Sequence, residues 1–169
     1  MKKVSVLFGE PPRSPLKWTI VNLGKFADKK MSLPQIVLTD PDWFFFMADK
    51  KAFTGRLAGE ARDIAAKAQK IRIPGKSRKR WKVLNYITPE GSFSHFDMFD
   101  PQADCHTGSA RVRITDFIDL SLPHRLKPYD KKGGKALIKV LKFELYGRTA
   151  IRLTKGRCED FFADASNFG

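Results

Sequence analysis

The most regular pattern in the sequence is the spacing of apolar residues over residues 57–68. These residues recur at intervals of three and four positions, which places them on one face of an amphipathic helix. They are Leu57, Ala61, Ile64, Ala65 and Ala68. Pro74 and Gly75 follow, and because both residues interrupt helices, the sequence predicts that this helix ends before them.

The period of the pattern changes after this helix. Residues 81–87 and 92–99 are rich in β-branched and aromatic side chains, and a turn sequence at residues 88–91 separates them. This predicts an antiparallel hairpin, and residues 110–120 are predicted to add a third strand with Arg111 and Arg113 on its outer face. Because helices and strands do not alternate strictly, we expect an α+β fold, with a small antiparallel sheet packed with three to four helices.

Residues typical of helix ends predict three further helices. Asp40 before Pro41 is a typical helix start and predicts a helix that continues to residue 53. Its buried face is expected to carry Trp43, Phe46 and Met47. The apolar spacing over residues 135–146 fits a helix closed by Gly147, which we favour over a strand at residues 140–145. Thr154 is predicted to cap a final helix that ends at residue 164. Short strands are predicted over residues 3–8, 16–23 and 149–153.

The chain of 169 residues has the length of one domain, and its 42% hydrophobic content is enough for a core. We expect an N-terminal module over residues 1–75 and a basic α+β region over residues 76–169, packed together as one compact unit. The only cysteines are Cys105 and Cys158, which excludes a framework of several disulfides. This low cysteine content makes the reducing cytosol the expected location. No apolar run approaches the ~20 residues that cross a bilayer, so we expect no membrane insertion.

The positive charge is concentrated in three stretches. The 32 Lys and Arg residues outnumber the 18 Asp and Glu residues, for a net charge of +14. Residues 64–89 carry +8, residues 120–143 carry +6 and residues 148–157 carry +4, which leaves −4 on the rest. Solubility alone does not require such clustering, and clustered cations attract polyanions. Nucleic acid is therefore the predicted partner, with DNA favoured over RNA.

Two basic segments supply the predicted contacts with nucleic acid. Residues 76–82 combine lysines and arginines, which bind phosphates, with Trp81, which either stacks on a base or packs into the core. Residues 123–134 are predicted to form a second basic loop, made flexible by Pro128 and by the pair Gly133-Gly134. Residues 131–135 at its end either contact phosphate or serve only as a turn. The predicted contact residues are Lys67, Lys70, Arg72, Lys76, Arg78, Lys79, Arg80, Trp81, Lys82, Arg125, Lys127, Lys131, Lys132 and Lys135.

Residues 22–47 carry three short motifs in a characteristic order. Gly24-Lys25-Phe26 is followed by Ser32-Leu33 with Ile36, and then by Asp40-Pro41-Asp42-Trp43. This segment resembles the small C-terminal module of exodeoxyribonuclease X-like proteins, which also occurs in some phage and mobile-element proteins. The resemblance covers about 30 residues of the chain and no exonuclease domain. It implies an association with DNA processing and no particular activity.

An acidic segment between residues 97 and 106 suggests an alternative function. Asp97, Asp100 and Asp104 lie close together in sequence, and carboxylates that hold a divalent metal can activate water for phosphodiester hydrolysis. Asp100 before Pro101 is also a typical turn sequence, and the spacing does not place two carboxylates on one element. No catalytic residue, metal ligand or cofactor is therefore assigned.

Three functions are compatible with these patterns. The favoured hypothesis is a non-catalytic nucleic-acid-binding protein, such as an accessory factor in DNA processing or of a phage or mobile element. The first alternative is a metal-dependent nuclease that uses Asp97, Asp100 and Asp104. The second is a basic interaction module that binds an acidic protein partner.

Overall fold

The computed structural model describes residues 17–75, 79–103 and 111–169. In these ranges the chain forms one three-stranded sheet and six α-helices, which confirms the predicted α+β class but exceeds the predicted helix number. The elements are α1 (Leu33–Thr39), α2 (Pro41–Asp49), α3 (Arg56–Ala68), β1 (Lys82–Ile87), β2 (Phe93–Phe99), β3 (Arg111–Thr115), α4 (Leu122–Leu126), α5 (Lys131–Tyr146) and α6 (Lys155–Ala163).

The sheet has the strand order β2-β1-β3, and β1 pairs with both neighbours in antiparallel orientation. The predicted hairpin is confirmed. The third strand ends at Thr115, earlier than predicted, because the chain then leaves the sheet and Ile118 forms a bridge with Ile71. Val83 and Phe96 are buried, so this face of the sheet packs against the helices. Among the helices, α5 has the most extensive contact with the sheet, through β2.

Helix α1 lies at the centre of the helical layer and contacts α2, α3, α5 and α6. Sequence analysis did not assign this helix. Five of its seven residues are buried, from Leu33 through Leu38, so it lacks the exposed polar face that gives a surface helix its period. The amphipathic helix predicted from residues 57–68 is confirmed as α3, with Ala61, Ile64 and Ala68 buried.

Helix α2 begins as its sequence predicts. The Asp40 side chain accepts a hydrogen bond from the Trp43 backbone N–H at 3.1 Å, and Pro41 occupies the first turn. The predicted buried face is wrong. Phe44 and Phe45 are buried, whereas Trp43, Phe46 and Met47 are only half-buried. The helix packs between α1, α3, α4 and α5, which cover Pro41 to Phe45 more fully than the residues after them, and it ends at Asp49.

The predicted flexible loop between residues 123 and 134 is wrong. Most of this segment forms α4 and the first turn of α5, with Asp130 as the N-cap of α5. The Asp130 Oδ1 atom accepts a hydrogen bond from the Gly133 N–H at 2.8 Å. Gly133 and Gly134 are buried within the helix. A Cβ atom on Gly134 would lie 3.3 Å from Pro41 Cγ, so this glycine allows a close approach of α5 to α2.

The C-terminal part of the chain confirms two of its three predicted elements. Gly147 ends α5 in the left-handed conformation, with φ 75°. Thr154 Oγ1 accepts from the Arg157 N–H at 3.3 Å and caps α6, which buries Phe161 and Phe162. Residues 149–153 form no strand. Residues 17–23 also form none and provide only an isolated bridge at Ile20, while the strand predicted over residues 3–8 lies outside the described residues.

We predict that Gly133→Ala fails to stabilise the protein although Ala is the better helix former. A Cβ atom at this position would collide with the Asp130 carboxylate, so that side chain must move and the cap, worth ~1 kcal/mol, is weakened. Gly59→Ala is the matched control, because Gly59 lies within α3 and its nearest neighbour would be 3.9 Å away. Gly59→Ala should raise the free energy of unfolding by about 0.5–1 kcal/mol, as measured by urea denaturation.

A double-mutant cycle isolates the cause. In an Asp130→Ala background the collision is absent, so Gly133→Ala should become stabilising. Equal stabilisation by Gly133→Ala and Gly59→Ala in the otherwise unchanged protein would contradict the described cap.

Candidate nucleic-acid interface

Helix α5 carries a row of lysines, which we call the α5 stripe. It consists of Lys131, Lys132, Lys135, Lys139 and Lys142. At roughly 100° per residue these positions fall within an arc of roughly 100° on the helix surface. The opposite face buries Leu137 and Leu141 in the core. The apolar contacts of α5 therefore turn the stripe away from the core: four of its five lysines are exposed, and Lys142 is half-buried.

A cavity of about 380 Å³ adjoins the stripe, which we call the cationic cavity. It lies between α5, the end of α1 and the segment that leads to α6. Its charged lining comprises Lys135, Lys139, Lys142 and Arg152. No acidic residue is among the described residues that line it. Four cations around one cavity produce a local positive potential that favours a bound anion.

The stripe lysines keep their charges available. No ion pair involves any of the five within residues 17–75, 79–103 and 111–169. A cation without a carboxylate neighbour loses no existing partner when it binds a phosphate. The stripe therefore differs from the other basic segment, where several cations already have partners.

Two cations of the basic stretch 64–89 bond to backbone carbonyls near the C-terminus of the chain. Lys67 Nζ donates to the Phe162 carbonyl at 3.2 Å and lies 3.1 Å from the Asp63 carboxylate. Arg72 Nε donates to the Phe168 carbonyl at 2.7 Å. These side chains connect α3 and the segment after it to α6 and the following residues. Lys70 and Lys79 are exposed, whereas Lys76 and Arg78 lie outside the described residues.

The cations at the start of β1 pair with carboxylates. Arg80 Nε lies 2.6 Å from Asp100 Oδ2, and this hydrogen bond is the main cause that holds the pKa of Asp100 below its usual value. Lys82 Nζ lies 2.6 Å from Asp116 Oδ1. Trp81 is half-buried and packs against the hydrophobic core. Of the two roles predicted for Trp81, packing into the core therefore applies to the buried part of its ring.

The contact residues predicted between residues 125 and 135 also include both a cation that is paired with a carboxylate and cations that are exposed. Arg125 pairs with Asp119 and also donates from Nε to Ser121 Oγ at 3.0 Å. Lys127 is exposed at the end of α4. The remaining members, Lys131, Lys132 and Lys135, lie together on α5.

Sequence analysis missed three residues of the cationic cavity, namely Lys139, Lys142 and Arg152. The spacing of Lys135, Lys139 and Lys142 is i, i+4 and i+7, which would have placed them on one helix face. The apolar spacing of α5 indicates the helix, and the complementary spacing of its lysines indicates which face of that helix is charged. Arg152 carried no such signal, because only the tertiary fold brings it beside α5.

The acidic segment does not assemble a metal site from the residues that the structure describes. Asp97 is exposed on β2, whereas Asp100 is buried, pairs with Arg80 and accepts from the Gln102 N–H at 2.9 Å. Asp104 and His106 lie outside the described residues. Within the described ranges, no three His, Cys, Asp or Glu side chains form a group able to hold a metal.

Burial raises the pKa of Cys158 to about 12, so its thiol stays protonated.

Comparisons with known proteins return no match to a family model, to a curated protein or to a solved structure. In the described part of the chain, no helix has both the length and the apolar composition needed to cross a membrane.

We predict that Arg80→Gln lowers stability at neutral pH and that this loss disappears in acid. The pKa of Asp100 is lowered in the folded protein, so its contribution is present above the unfolded value of ~3.9 and is lost as pH falls through the folded value. Below both pKa values Asp100 is protonated in the folded and in the unfolded protein, so it no longer contributes to stability through its charge. Urea unfolding at about pH 7 and about pH 3 tests this difference, because the loss at pH 3 should already be smaller than the loss at pH 7.

Lys82→Gln is the matched control, because its partner Asp116 is 56% exposed. Exposed pairs contribute about 0–1 kcal/mol, so this change should have a smaller effect at neutral pH. An Arg80→Gln loss of equal size at both pH values would show that the pair does not stabilise the fold through the Asp100 charge.

Proposed function

We propose that the protein binds nucleic acid through the α5 stripe and the cationic cavity, and that it does so without catalysing a reaction. One observation carries the proposal: Lys135, Lys139, Lys142 and Arg152 surround a cavity whose described lining contains no carboxylate. Phosphate groups are the anions that such a set of cations binds repeatedly along a polymer.

The dimensions of the stripe are suited to a sugar-phosphate chain. Ten residues separate Lys132 from Lys142, a distance of about 15 Å along the helix axis. A DNA strand in a duplex advances ~3.4 Å per phosphate, so the stripe can face about four successive phosphates. Lysine side chains are long and flexible, and they neutralise phosphates without reading the bases. The proposed binding is therefore largely independent of sequence.

DNA is the preferred ligand in this proposal because residues 22–47 resemble a module of DNA-processing proteins. The same resemblance supports an accessory role in DNA processing or in a phage or mobile element. Binding without catalysis is favoured because Asp100, which is central to the nuclease alternative, already bonds to Arg80 and to a backbone amide.

We predict that Lys135→Ala, Lys139→Ala and Lys142→Ala together weaken binding to all sequences alike. Each lysine that neutralises a phosphate contributes about 0.9 to the slope of log affinity against log salt on duplex DNA. The triple variant should therefore show a slope shallower by about 2–3. Fluorescence anisotropy of labelled DNA at several salt concentrations measures both the affinity and the slope.

The matched control removes three exposed lysines from other elements, Lys17, Lys70 and Lys79. It has the same net charge as the triple variant, so a smaller loss shows that position and not total charge decides binding. Equal losses in the two variants would place the interface elsewhere. A wild-type protein that fails to bind DNA at low salt would refute the proposed function itself.

A further inference from the structure

A second cavity, of about 240 Å³, lies at the N-terminal end of the stripe and has an aromatic wall. Trp43, Phe46 and Tyr129 form this wall, and Lys25 and Lys131 also line the cavity. We call it the aromatic cavity. The Tyr129 ring lies 4.8 Å from the Phe46 ring, with an interplanar angle of 47°. Tyr129 is 69% exposed, the highest value among the exposed large hydrophobic residues of the described chain.

The backbone at Tyr129 has an unusual conformation. Its φ is +65°, in the left-handed region that bulky residues rarely adopt. Such conformations persist where the surrounding structure holds them, and they concentrate at functional sites. The next residue, Asp130, caps α5 and so fixes the chain on one side of the ring. The fold thus holds an exposed aromatic side chain in place at a conformational cost.

The charges around the aromatic cavity select the kind of ligand. Lys25 and Lys131 line it, and Lys50 Nζ lies 5.5 Å from the centre of the Phe46 ring. The two acidic residues in the lining have partners already. Asp40 binds Lys25 and the Trp43 amide, and Asp42 Oδ1 lies 3.2 Å from His124 Nδ1. Lys131 is therefore the lining cation that pairs with none of the described carboxylates, and a ligand that joins an aromatic ring to a nearby phosphate fits this setting.

The aromatic cavity and the cationic cavity are neighbours on the same helix. Lys131 lines the first and Lys135 the second, and these residues are about 6 Å apart along the axis of α5. On the other side, consecutive residues separate the two cavities, since Thr39 lines the cationic cavity and Asp40 the aromatic one. One strand can therefore place phosphates along the stripe and an adjacent base against the aromatic wall.

We propose that the aromatic cavity receives an unpaired base, so that the protein binds single-stranded nucleic acid in preference to a duplex. This inference rests on the proposed function, since the stripe must hold the phosphates. Bases within a duplex are stacked and paired, so none can enter the cavity without being extruded. Stacking of bases on exposed aromatic side chains is the common mode of recognition of single strands and tolerates any base.

The test compares Tyr129→Ala with Tyr129→Phe, which keeps the ring, in binding to a single strand of about 15 nucleotides. Tyr129→Ala should weaken binding by about 5- to 150-fold, the range found for loss of one stacked base. Tyr129→Phe should bind like the wild type. Duplex binding should not change in either variant, because the cavity then holds no base.

An abasic strand of the same length supplies the complementary control, since it keeps the phosphates and lacks the bases. The wild type should bind it about as weakly as Tyr129→Ala binds the normal strand, and Tyr129→Ala should cause no further loss on it. If the wild type binds both strands equally, or if Tyr129→Ala leaves single-strand binding unchanged, this inference is wrong. Loss of duplex and single-strand binding in the α5 triple variant would still support the proposed function.

Discussion

The position of the cationic surface depends on the close approach of α5 to α2. At Gly134 a Cβ atom would lie 3.3 Å from the Pro41 ring, so glycine allows the first turns of the two helices to meet. The apolar residues Leu137 and Leu141 are then buried. Because a helix is rigid, burial of this face turns the lysines on the opposite face towards solvent. One packing constraint therefore determines where both cavities lie.

The basic residues of the chain have two physical roles that composition does not distinguish. Some hold the fold together, as Arg72 does at the Phe168 carbonyl and Arg80 at the buried Asp100 carboxylate. Others, such as Lys135 and Lys139, line a cavity and have no ion pair in the described part of the chain. The net charge of +14 therefore overstates the charge available to a partner. Available charge depends on which carboxylates the fold brings close.

Local signals in the sequence were sufficient where a single residue type determines the backbone. Asp40, Gly147 and Thr154 each mark a helix end through the hydrogen bond or backbone angle that the residue favours, and all three predictions are confirmed. Tertiary packing decided the remaining cases. Helix α1 has no period because it is buried on nearly all sides. Gly133 and Gly134 indicated a flexible turn, but in the fold Gly133 leaves room for the Asp130 cap and Gly134 for the contact with Pro41.

Tertiary packing also decides which residues of the candidate interface the sequence can predict. Lys131, Lys132 and Lys135 were predicted as contacts from local charge, although in a loop and not in a helix. Lys139 and Lys142 could have been found from their helical spacing with Lys135. Arg152 and the pair of Phe46 and Tyr129 could not, because residues distant in sequence meet there only after folding.

The arrangement of the stripe on a single helix has a consequence for how a bound strand can move. From Lys132 onwards its lysines recur every three or four residues along one axis, and lysine side chains accommodate a phosphate at many positions. A strand shifted by one nucleotide would meet an almost equivalent row of charges. Neighbouring registers then differ little in energy, and the polymer can slide along the helix without complete dissociation.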